Sequence, residues 1–321
     1  MSIPNEMRAV VIERFGGPEE LKLGSIPIPE IGPREVLVNV EYAGVGVWDT
    51  FERKGGYAEM LGLKPEFPYV LGSEGAGTVA ALGDEVTGFQ IGDKVYAAGF
   101  LNPKGGFYAE YAAVDAGHVS IIPAGMPLRE ASAILGVGLT ALRGIQDILQ
   151  LREGESIMIA GASGGIGHLA AQLADRIGAR VFAMASGEDG TAVVRKLITG
   201  TAIDGRREDW MAAARQFAPQ GFDAALLTFG GGQAEAAVQY VRKGGRIAYP
   251  NGIHPEPQAR PDKTINGYNG DPDPEIIQQL DSFIRAGVTV HIAHTFELKD
   301  AAACHAALEQ HYPGKICLRI T

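Results

Sequence analysis

A glycine-rich turn is the part of this sequence best suited to bind a charged ligand. Residues 161–167 read Gly-Ala-Ser-Gly-Gly-Ile-Gly, between a predicted strand and a predicted helix. Small residues let a diphosphate approach the backbone amides at the start of a helix, where the helix dipole favours an anion. Such a turn alone is a weak signal, but this one opens a series of alternating strands and helices, as a dinucleotide site requires.

The end of the next predicted strand indicates which dinucleotide would bind. NAD sites usually place an acidic residue about 20 residues after the turn. Here the strand ends at Ser186, and Glu188 and Asp189 fall at the start of the next helix. A neutral strand end suits the 2′-phosphate of NADPH, which we therefore expect as the cofactor, with NADH possible. The bases that could balance this phosphate are Arg195, Lys196, Arg206 and Arg207, although each one singly is more often part of a solvated surface.

Strands and helices alternate through the middle of the chain. After the turn, Ile166, Leu169, Leu173 and Ile177 recur at steps of three, four and four residues, which is the spacing of one helix face. The pattern predicts a doubly wound parallel sheet. The predicted strands are 156–160, 180–185, 201–204, 222–228, 245–250 and 264–268, and the predicted helices are 166–177, 192–197, 209–217 and 233–241.

The flanking parts of the chain follow another pattern. Val36, Val38 and Val40 alternate with other residues as in a strand, and glycines separate further short β-prone segments, which favours a barrel-like β domain. The pattern changes near Pro123. The other predicted strands are 77–79, 94–97, 108–114, 288–296 and 315–320, and the other predicted helices are 128–133, 140–151, 274–286 and 300–310.

Composition limits the partners of this protein. The 321 residues carry a formal net charge of −10, and such a surface repels polyphosphates and anionic lipids. We therefore expect no nucleic acid and no membrane partner. The two cysteines exclude a disulfide framework, and the N-terminal residues lack the basic and apolar segments of a signal peptide. We expect a cytoplasmic protein.

Short motifs recur in a specific order along nearly the whole chain. They include Leu-Gly-Ser-Glu-Gly-Ala-Gly at 71–77, Gly-Asp-Lys-Val at 92–95, Gly-Leu-Thr-Ala at 138–141, the turn at 161–167 and Gly-Lys-Ile-Cys-Leu at 314–318. In this order they resemble the medium-chain dehydrogenase/reductase superfamily, in its zinc-free quinone oxidoreductase branch. The resemblance implies an α/β fold, with a GroES-like catalytic domain (1–126 and 271–321) and a Rossmann dinucleotide-binding domain (127–270). It also implies an active site in the cleft between the domains and a homodimer.

The resemblance bears directly on metal binding. Zinc alcohol dehydrogenases of this superfamily place metal ligands where this chain has Gly46 and Ser73, and Glu74 alone cannot supply the roughly three protein ligands of a catalytic zinc. Cys304 and His305 are adjacent in a predicted amphipathic helix, where we expect packing and surface positions. We expect no zinc, so alcohol oxidation is disfavoured, and an acceptor with its own electron sink is favoured.

The resemblance also implies a set of cofactor contacts. The backbone of the turn would bind the diphosphate, and a residue at the end of the next strand would lie near the adenosine ribose. Other residues would lie beside the nicotinamide. The diphosphate contacts are Ser163, Gly164, Gly165 and Ile166, the ribose contact is Ser186, and the nicotinamide contacts are Thr140, Phe229 and Asn251.

The expected substrate pocket is apolar. Relatives usually carry Asn at Gly46 and often Tyr at Phe51, so both changes remove a polar group. Trp48 and Phe51 would form an aromatic wall against a flat acceptor, although both could equally be core residues. Tyr57, expected in a loop, lies nearby in sequence and could replace the proton donor, although a loop Tyr is more often a surface residue; solvent is the other source. We assign no catalytic side chain.

These expectations define an NADPH-dependent, zinc-independent enzyme that transfers hydride to a small-molecule quinone or α,β-unsaturated carbonyl. The alternatives are an enoyl-thioester or ketone reductase of the same fold, and a non-catalytic NADPH-binding sensor.

Overall fold

The computed structural model describes residues 3–207 and 209–321. The N-terminal part forms short strands and a pair of short helices. Glycines allow close strand approach here, since a Cβ at Gly77 would lie 1.9 Å from the carbonyl oxygen of Asn39. The strands are β1 (Glu6–Ile12), β2 (Lys22–Pro27), β3 (Glu35–Val45), β4 (Tyr69–Val70), β5 (Glu74–Leu82), β6 (Lys94–Ala98), β7 (Tyr111–Asp115) and β8 (Val119–Ile121), and the helices are α1 (Val47–Arg53) and α2 (Gly56–Leu61).

The middle of the chain folds into alternating helices and strands. The helices are α3 (Leu128–Ala131), α4 (Leu135–Arg143), α5 (Gly165–Ile177), α6 (Gly187–Leu197), α7 (Trp210–Phe217) and α8 (Gly232–Gln239). The strands are β9 (Ser156–Ala160), β10 (Arg180–Ala185), β11 (Thr201–Asp204), β12 (Phe222–Leu227), β13 (Val241–Pro250) and β14 (Thr264–Tyr268). They pair in parallel in the order β11-β10-β9-β12-β13-β14, which is the doubly wound order that the alternation predicted.

The last part of the chain returns to the N-terminal sheet. It contains α9 (Pro274–Arg285), β15 (Ile292–Glu297), α10 (Ala301–Ala307) and β16 (Lys315–Arg319). Strand β16 pairs with β15 on one side and antiparallel with β3 on the other. The order β15-β16-β3-β5-β6-β8, with β7 also paired to β3, joins both ends of the chain in one sheet, beside the small β2-β1-β4 sheet. The final strand of the chain is therefore an inner strand of the sheet, next to β3.

Three apolar cores hold these layers together. One lies beneath the N-terminal sheet, and one lies on each face of the parallel sheet. Leu169 and Leu173 are fully buried against the parallel sheet, whereas Ile166 and Ile177, at the two ends of the predicted face, are half-buried. The predicted face of α5 thus packs against the sheet, as the three-four-four spacing indicated.

Several predicted boundaries were wrong. The helix predicted at 140–151 starts earlier, at Leu135, and passes into a π-helical turn at Gly144–Ile148. The strand predicted at 288–296 begins only at Ile292. Helices α1 and α2 were not predicted, because each is shorter than two turns and shows too little periodicity. Tyr57 therefore lies in a helix and not in a loop. None of the helices in the described part of the chain has the length and apolar character needed to cross a membrane.

Candidate active site

The glycine-rich turn connects β9 to α5 at the carboxyl edge of the parallel sheet. Gly161 has a φ of +84°, which glycine adopts without strain. A Cβ at Gly167 would lie 2.1 Å from the carbonyl oxygen of Gly161, so only glycine lets the helix pack this closely. Gly164 is the N-cap of α5, and the helix starts at Gly165 and Ile166. The amides at this helix start have no partner within the helix, which is the geometry that the predicted anion site needs.

Ser163 ties the turn to two other parts of the chain. Its hydroxyl accepts a hydrogen bond from the backbone amide of Ser186 at 3.0 Å, which links the turn to the end of β10. Its carbonyl accepts one from the amide of Gly314 at 2.7 Å, which links the turn to the last strand. The turn and Ser186, both predicted as cofactor contacts, are therefore brought together.

A buried histidine, which the sequence analysis missed, supports the same turn. Nδ1 of His168 donates to the carbonyl of Gly164 at 2.8 Å, and Nε2 accepts from the amide of His291 at 3.1 Å. Burial lowers the pKa of His168 to about 4, so the ring is neutral at neutral pH, as these two bonds require. Only the position of His168 four residues after Gly164 could have indicated this role.

Charged side chains surround the end of β10, where the adenosine ribose is expected. Gly187 stands at the centre, and a Cβ there would lie 3.4 Å from Arg206 and 3.5 Å from His311. Arg206 donates to Nδ1 of His311 at 3.1 Å, and Nε2 of His311 lies 3.0 Å from Asp189. Of the predicted bases, Arg206 therefore lies beside Gly187.

The other three predicted bases are engaged elsewhere or exposed. Arg195 donates to the carbonyl of Ala202 at 3.2 Å, Arg207 is exposed and pairs with Asp209 at 3.5 Å, and Lys196 is exposed. His311 was not predicted at this position, because it lies more than 100 residues after Arg206 and Ser186 in the sequence.

The predicted nicotinamide residues lie at the same edge of the sheet. Phe229 follows β12 and contacts the turn, since a Cβ at Gly161 would lie 3.1 Å from its ring. Asn251 follows β13 and donates from Nδ2 to Asn269 at 2.8 Å. Thr140 on α4 lies against Gly270, so both Thr140 and Asn251 contact the segment after β14. The structure thus places Thr140 and Asn251 against one segment and Phe229 against the turn.

The predicted substrate position contains a tightly packed group of side chains. A Cβ at Gly46 would lie 2.4 Å from the indole of Trp48, so the indole occupies the space that a side chain there would need. Nζ of Lys315 lies 4.3 Å from the centre of that indole ring and 2.9 Å from Oε1 of Glu74. Oε2 of Glu74 accepts a hydrogen bond from the amide of Gly136 at 2.8 Å. Both charged residues are almost fully buried.

An aromatic cluster extends from this group towards solvent. Phe51 and Tyr57 meet edge to face with ring centres 4.7 Å apart, and Tyr57 and Phe100 meet in the same way at 4.9 Å. Phe51 and Phe100 are exposed, and burial raises the pKa of Tyr57 to about 12. Gly99, which precedes Phe100, donates its amide to the carbonyl of Ser73. Phe51 and Tyr57, both predicted for the pocket, therefore lie together.

A buried polar network lies behind this position, and the sequence analysis did not predict it. Asp49 accepts hydrogen bonds from the amide of Gly46 at 2.8 Å, the hydroxyl of Ser73 at 3.1 Å and that of Tyr108 at 3.1 Å. Tyr108 also contacts Nε2 of His305 at 3.0 Å. Burial raises the pKa of Asp49 to about 6, although the Gly46 amide and the Lys315 charge act in the opposite direction.

His305 itself corrects an expectation. Cys304 packs in the core as expected, but His305, expected at the surface, is also buried. Nδ1 of His305 lies 3.1 Å from the guanidinium of Arg53, and burial lowers the pKa of His305 to about 3. The helix face that carries His305 packs inward because α10 covers the N-terminal sheet.

The residues at this position do not fit a catalytic zinc ion. Position 46 has no side chain, Ser73 donates its hydroxyl to Asp49, and the ammonium of Lys315 already lies beside Glu74. Among residues 3–207 and 209–321, no group of three or more His, Cys, Asp or Glu side chains could hold a metal ion.

The doubly wound sheet, its glycine-rich turn and the adjoining β sheet define a dinucleotide-dependent oxidoreductase. Two family models match the chain: the alcohol dehydrogenase GroES-like domain over residues 32–124, and the zinc-binding dehydrogenase domain over residues 165–265. Alcohol dehydrogenase 1 of Emericella nidulans is 33% identical over 275 residues, which cover 77% of each chain.

Quinone oxidoreductases are also similar. That of Homo sapiens is 37% identical over 191 residues, covering 59% of this chain and 55% of the human protein. The solved quinone oxidoreductase from Coxiella burnetii is 26% identical, covers 98% of this chain and all of its own, and superposes with a TM-score of 0.86. The chain belongs to the medium-chain dehydrogenase/reductase superfamily, in its quinone oxidoreductase branch, and the predicted GroES-like and Rossmann architecture is confirmed.

Proposed function

We propose that this protein is an NADPH-dependent, zinc-independent reductase of a quinone or an α,β-unsaturated carbonyl. The observation that carries the proposal is that neither position expected to supply a metal ligand can do so: the indole of Trp48 occupies the side-chain space at Gly46, and Ser73 donates its hydroxyl to Asp49. Without a Lewis acid to ionise an alcohol, an acceptor that accommodates the incoming electron pair by itself is favoured.

The chain's own residues hold and orient the reactants. The amides of Gly164, Gly165 and Ile166 would bind the diphosphate, and Phe229 and Asn251 would flank the nicotinamide. When bound, the dinucleotide supplies the hydride. Packing around the turn would fix its position relative to the acceptor and exclude water, which is the main contribution that we assign to the protein.

Two bases support NADPH over NADH. Arg206 and His311 face Gly187, where the 2′-phosphate would lie next to the neutral Ser186. Asp189 holds Nε2 of His311 from the other side, whereas the guanidinium of Arg206 is always charged. Arg206 therefore provides the permanent positive charge of this subsite.

The aromatic cluster supports a flat, apolar acceptor. Phe51, Tyr57 and Phe100 form a continuous edge-to-face row that ends at exposed rings. Aromatic rings of this kind stack on quinones and conjugated carbonyls without placing a charge against them. We also propose, from the family resemblance, a cytoplasmic homodimer that associates through the edge strand β14 of the parallel sheet.

Cofactor oxidation tests the proposal. NADPH and NADH consumption would be followed by absorbance with a quinone and, in parallel, a panel of small enones, with and without a chelator. We expect turnover with NADPH that the chelator leaves unchanged. Loss of turnover on chelation would contradict zinc independence. Tight NADPH binding without turnover on any acceptor would favour the sensor, and turnover restricted to enoyl thioesters or ketones would favour the alternative reductases.

A further inference from the structure

Lys315 is a buried cation whose place in the fold is unusual. Only 3% of its side chain is exposed, and it begins the last strand β16, next to the glycine-rich turn. We propose that the Lys315 ammonium is a catalytic group that stabilises the negative charge developing on the acceptor oxygen during hydride transfer. The inference rests on the proposed function and deepens it by assigning an electrophile to the zinc-free site.

The side chain of Lys315 spans the two halves of the site. Its stem passes the cofactor turn, since a Cβ at Gly165 would lie 3.1 Å from Cδ of Lys315. Its head reaches the substrate side, where Nζ lies over the indole of Trp48 and beside Glu74. The ammonium is therefore at the junction of the expected cofactor and acceptor positions.

The ammonium has hydrogen-bonding capacity to spare. Nζ lies 2.9 Å from Oε1 of Glu74, but the approach is too oblique for a hydrogen bond. No acceptor in the described part of the chain is aligned with Nζ, and Oε1 of Glu74 likewise lacks an aligned donor. A buried ammonium with no aligned acceptor is unfavourable unless another group, such as a ligand oxygen, completes its coordination.

Glu74 acts as a positioning residue for this ammonium. The amide of Gly136 fixes Oε2 of Glu74, and the backbone at Gly44 packs so closely that a Cβ there would lie 2.7 Å from Oε1. The carboxylate is thus held still and keeps the Lys315 head group near Trp48. In zinc relatives a metal cation polarises the substrate oxygen. In this protein the ammonium of Lys315 would take that role.

The chemical step balances without a further reactant. The β-carbon of an enone gains a hydride with its electron pair from the reduced nicotinamide, which is thereby oxidised. The π electrons of the carbon–carbon double bond move through conjugation onto the carbonyl oxygen, next to the ammonium of Lys315. The α-carbon then takes a proton from water, which gives the saturated ketone. A fixed donor aimed at the developing oxyanion accelerates such a step, typically by roughly 100-fold or more.

The test compares Lys315→Met with the wild type and with Lys104→Met, which removes an exposed lysine paired with Glu35. Single-turnover hydride transfer, NADPH affinity by fluorescence, and affinity for 4-nitrophenolate would be measured. This flat phenolate mimics a hydroquinone anion, and its absorbance band reports binding without turnover. The double variant Glu74→Gln/Lys315→Met leaves no unpaired charge and replaces the single variant if that one does not fold.

We expect the Lys315 variants to lose roughly 100-fold in single-turnover rate and at least 10-fold in phenolate affinity, with NADPH affinity changed less than threefold. Glu74→Gln should lower the single-turnover rate less than the Lys315 variants do. Its phenolate affinity should fall about as much as theirs. Lys104→Met should match the wild type throughout.

Two results would overturn the inference while the proposed function stands. In the first, the Lys315 variants lose NADPH affinity in proportion to their overall rate, but their single-turnover rate at saturating NADPH is unchanged. Lys315 would then be a ligand of the diphosphate. In the other, wild type and variants transfer hydride and bind phenolate equally. If the wild type reduces no acceptor, the proposed function and the inference fail together.

Discussion

Nδ1 of His305 lies 3.1 Å from the guanidinium of Arg53, and this contact sets the direction of the whole buried network. Arginine can only donate, so Nδ1 must accept and the neutral ring must carry its proton on Nε2. Nε2 then donates to the hydroxyl of Tyr108, and Tyr108 donates to Asp49. Every proton in this row points towards the Asp49 carboxylate.

Removal of the Tyr108 hydroxyl should therefore destabilise the fold. In Tyr108→Phe, Nε2 of His305 loses its acceptor and Asp49 loses a donor, and an unsatisfied buried polar group costs about 1–3 kcal/mol. Urea denaturation would measure the loss. Tyr111→Phe, at a half-buried position outside this network, is the control and should stay within about 0.5 kcal/mol of the wild type. Equal effects of the two changes would contradict a stabilising role for the Tyr108 hydroxyl in this network.

Glu52 should make stability depend on pH. Burial raises the pKa of Glu52 to about 7, even though Tyr69 donates to its carboxylate at 2.6 Å. Because the folded pKa lies above the unfolded value, the native state holds this proton more tightly. The stabilisation is full below about pH 4.5 and is lost as the pH rises through 7.

Glu52→Gln removes this titration and keeps an acceptor for Tyr69. The stability of the variant relative to wild type should rise by up to about 3 kcal/mol between pH 4.5 and pH 8. Denaturant midpoints across this range give the measurement. Glu59→Gln, on the exposed side of α2, should show no such trend. Parallel pH curves for wild type and Glu52→Gln would rule out the raised pKa.

The contact between Trp48 and Gly46 predicts an energetic coupling. Gly46→Ala should destabilise by about 1–3 kcal/mol, because the new methyl group meets the indole at 2.4 Å. In a Trp48→Leu background the same change should be nearly neutral. Tryptophan fluorescence would report displacement of the ring. The control is Gly232→Ala, which meets no heavy atom within 4 Å. The same loss in both backgrounds would show that the indole is not the obstacle.

Neighbouring arginines offer a matched test of cofactor preference. Arg206→Ala removes the charge beside Gly187 and should weaken NADPH binding roughly 10- to 100-fold, since a hydrogen bond to a charged group contributes about 1.5–3 kcal/mol. NADH binding should change little. Arg207→Ala removes an exposed arginine one residue away and should affect neither. Isothermal titration calorimetry would measure the affinity of each variant for both dinucleotides. If Arg206→Ala weakened NADPH and NADH binding by the same factor, Arg206 would not belong to the 2′-phosphate subsite.

The sequence predicted the parts of this molecule that depend on local pattern. The turn at 161–167, the alternation after it and the face of α5 follow from spacing within a few residues, and the predicted doubly wound parallel sheet is present. The buried network escaped prediction because Asp49, Tyr108 and His305 lie far apart in the chain. Lys315 escaped for the same reason, because its partner Glu74 is more than 200 residues away. The domain boundaries at 126/127 and 270/271, and the roles of the site residues, stay predictions.

The position of β16 has a consequence for synthesis of the protein. This strand lies between β15 and β3, and Ile316 pairs with Val45. On the ribosome, the Tyr42–Val45 end of β3 therefore emerges long before its β16 partner exists, whereas the rest of that edge can already pair with β7. The central parallel sheet, whose strands are contiguous in sequence, can assemble first. Because Gly314 and Lys315 connect the turn to the expected acceptor position, a nascent chain would form its parallel sheet well before that position is complete, which requires the last strand.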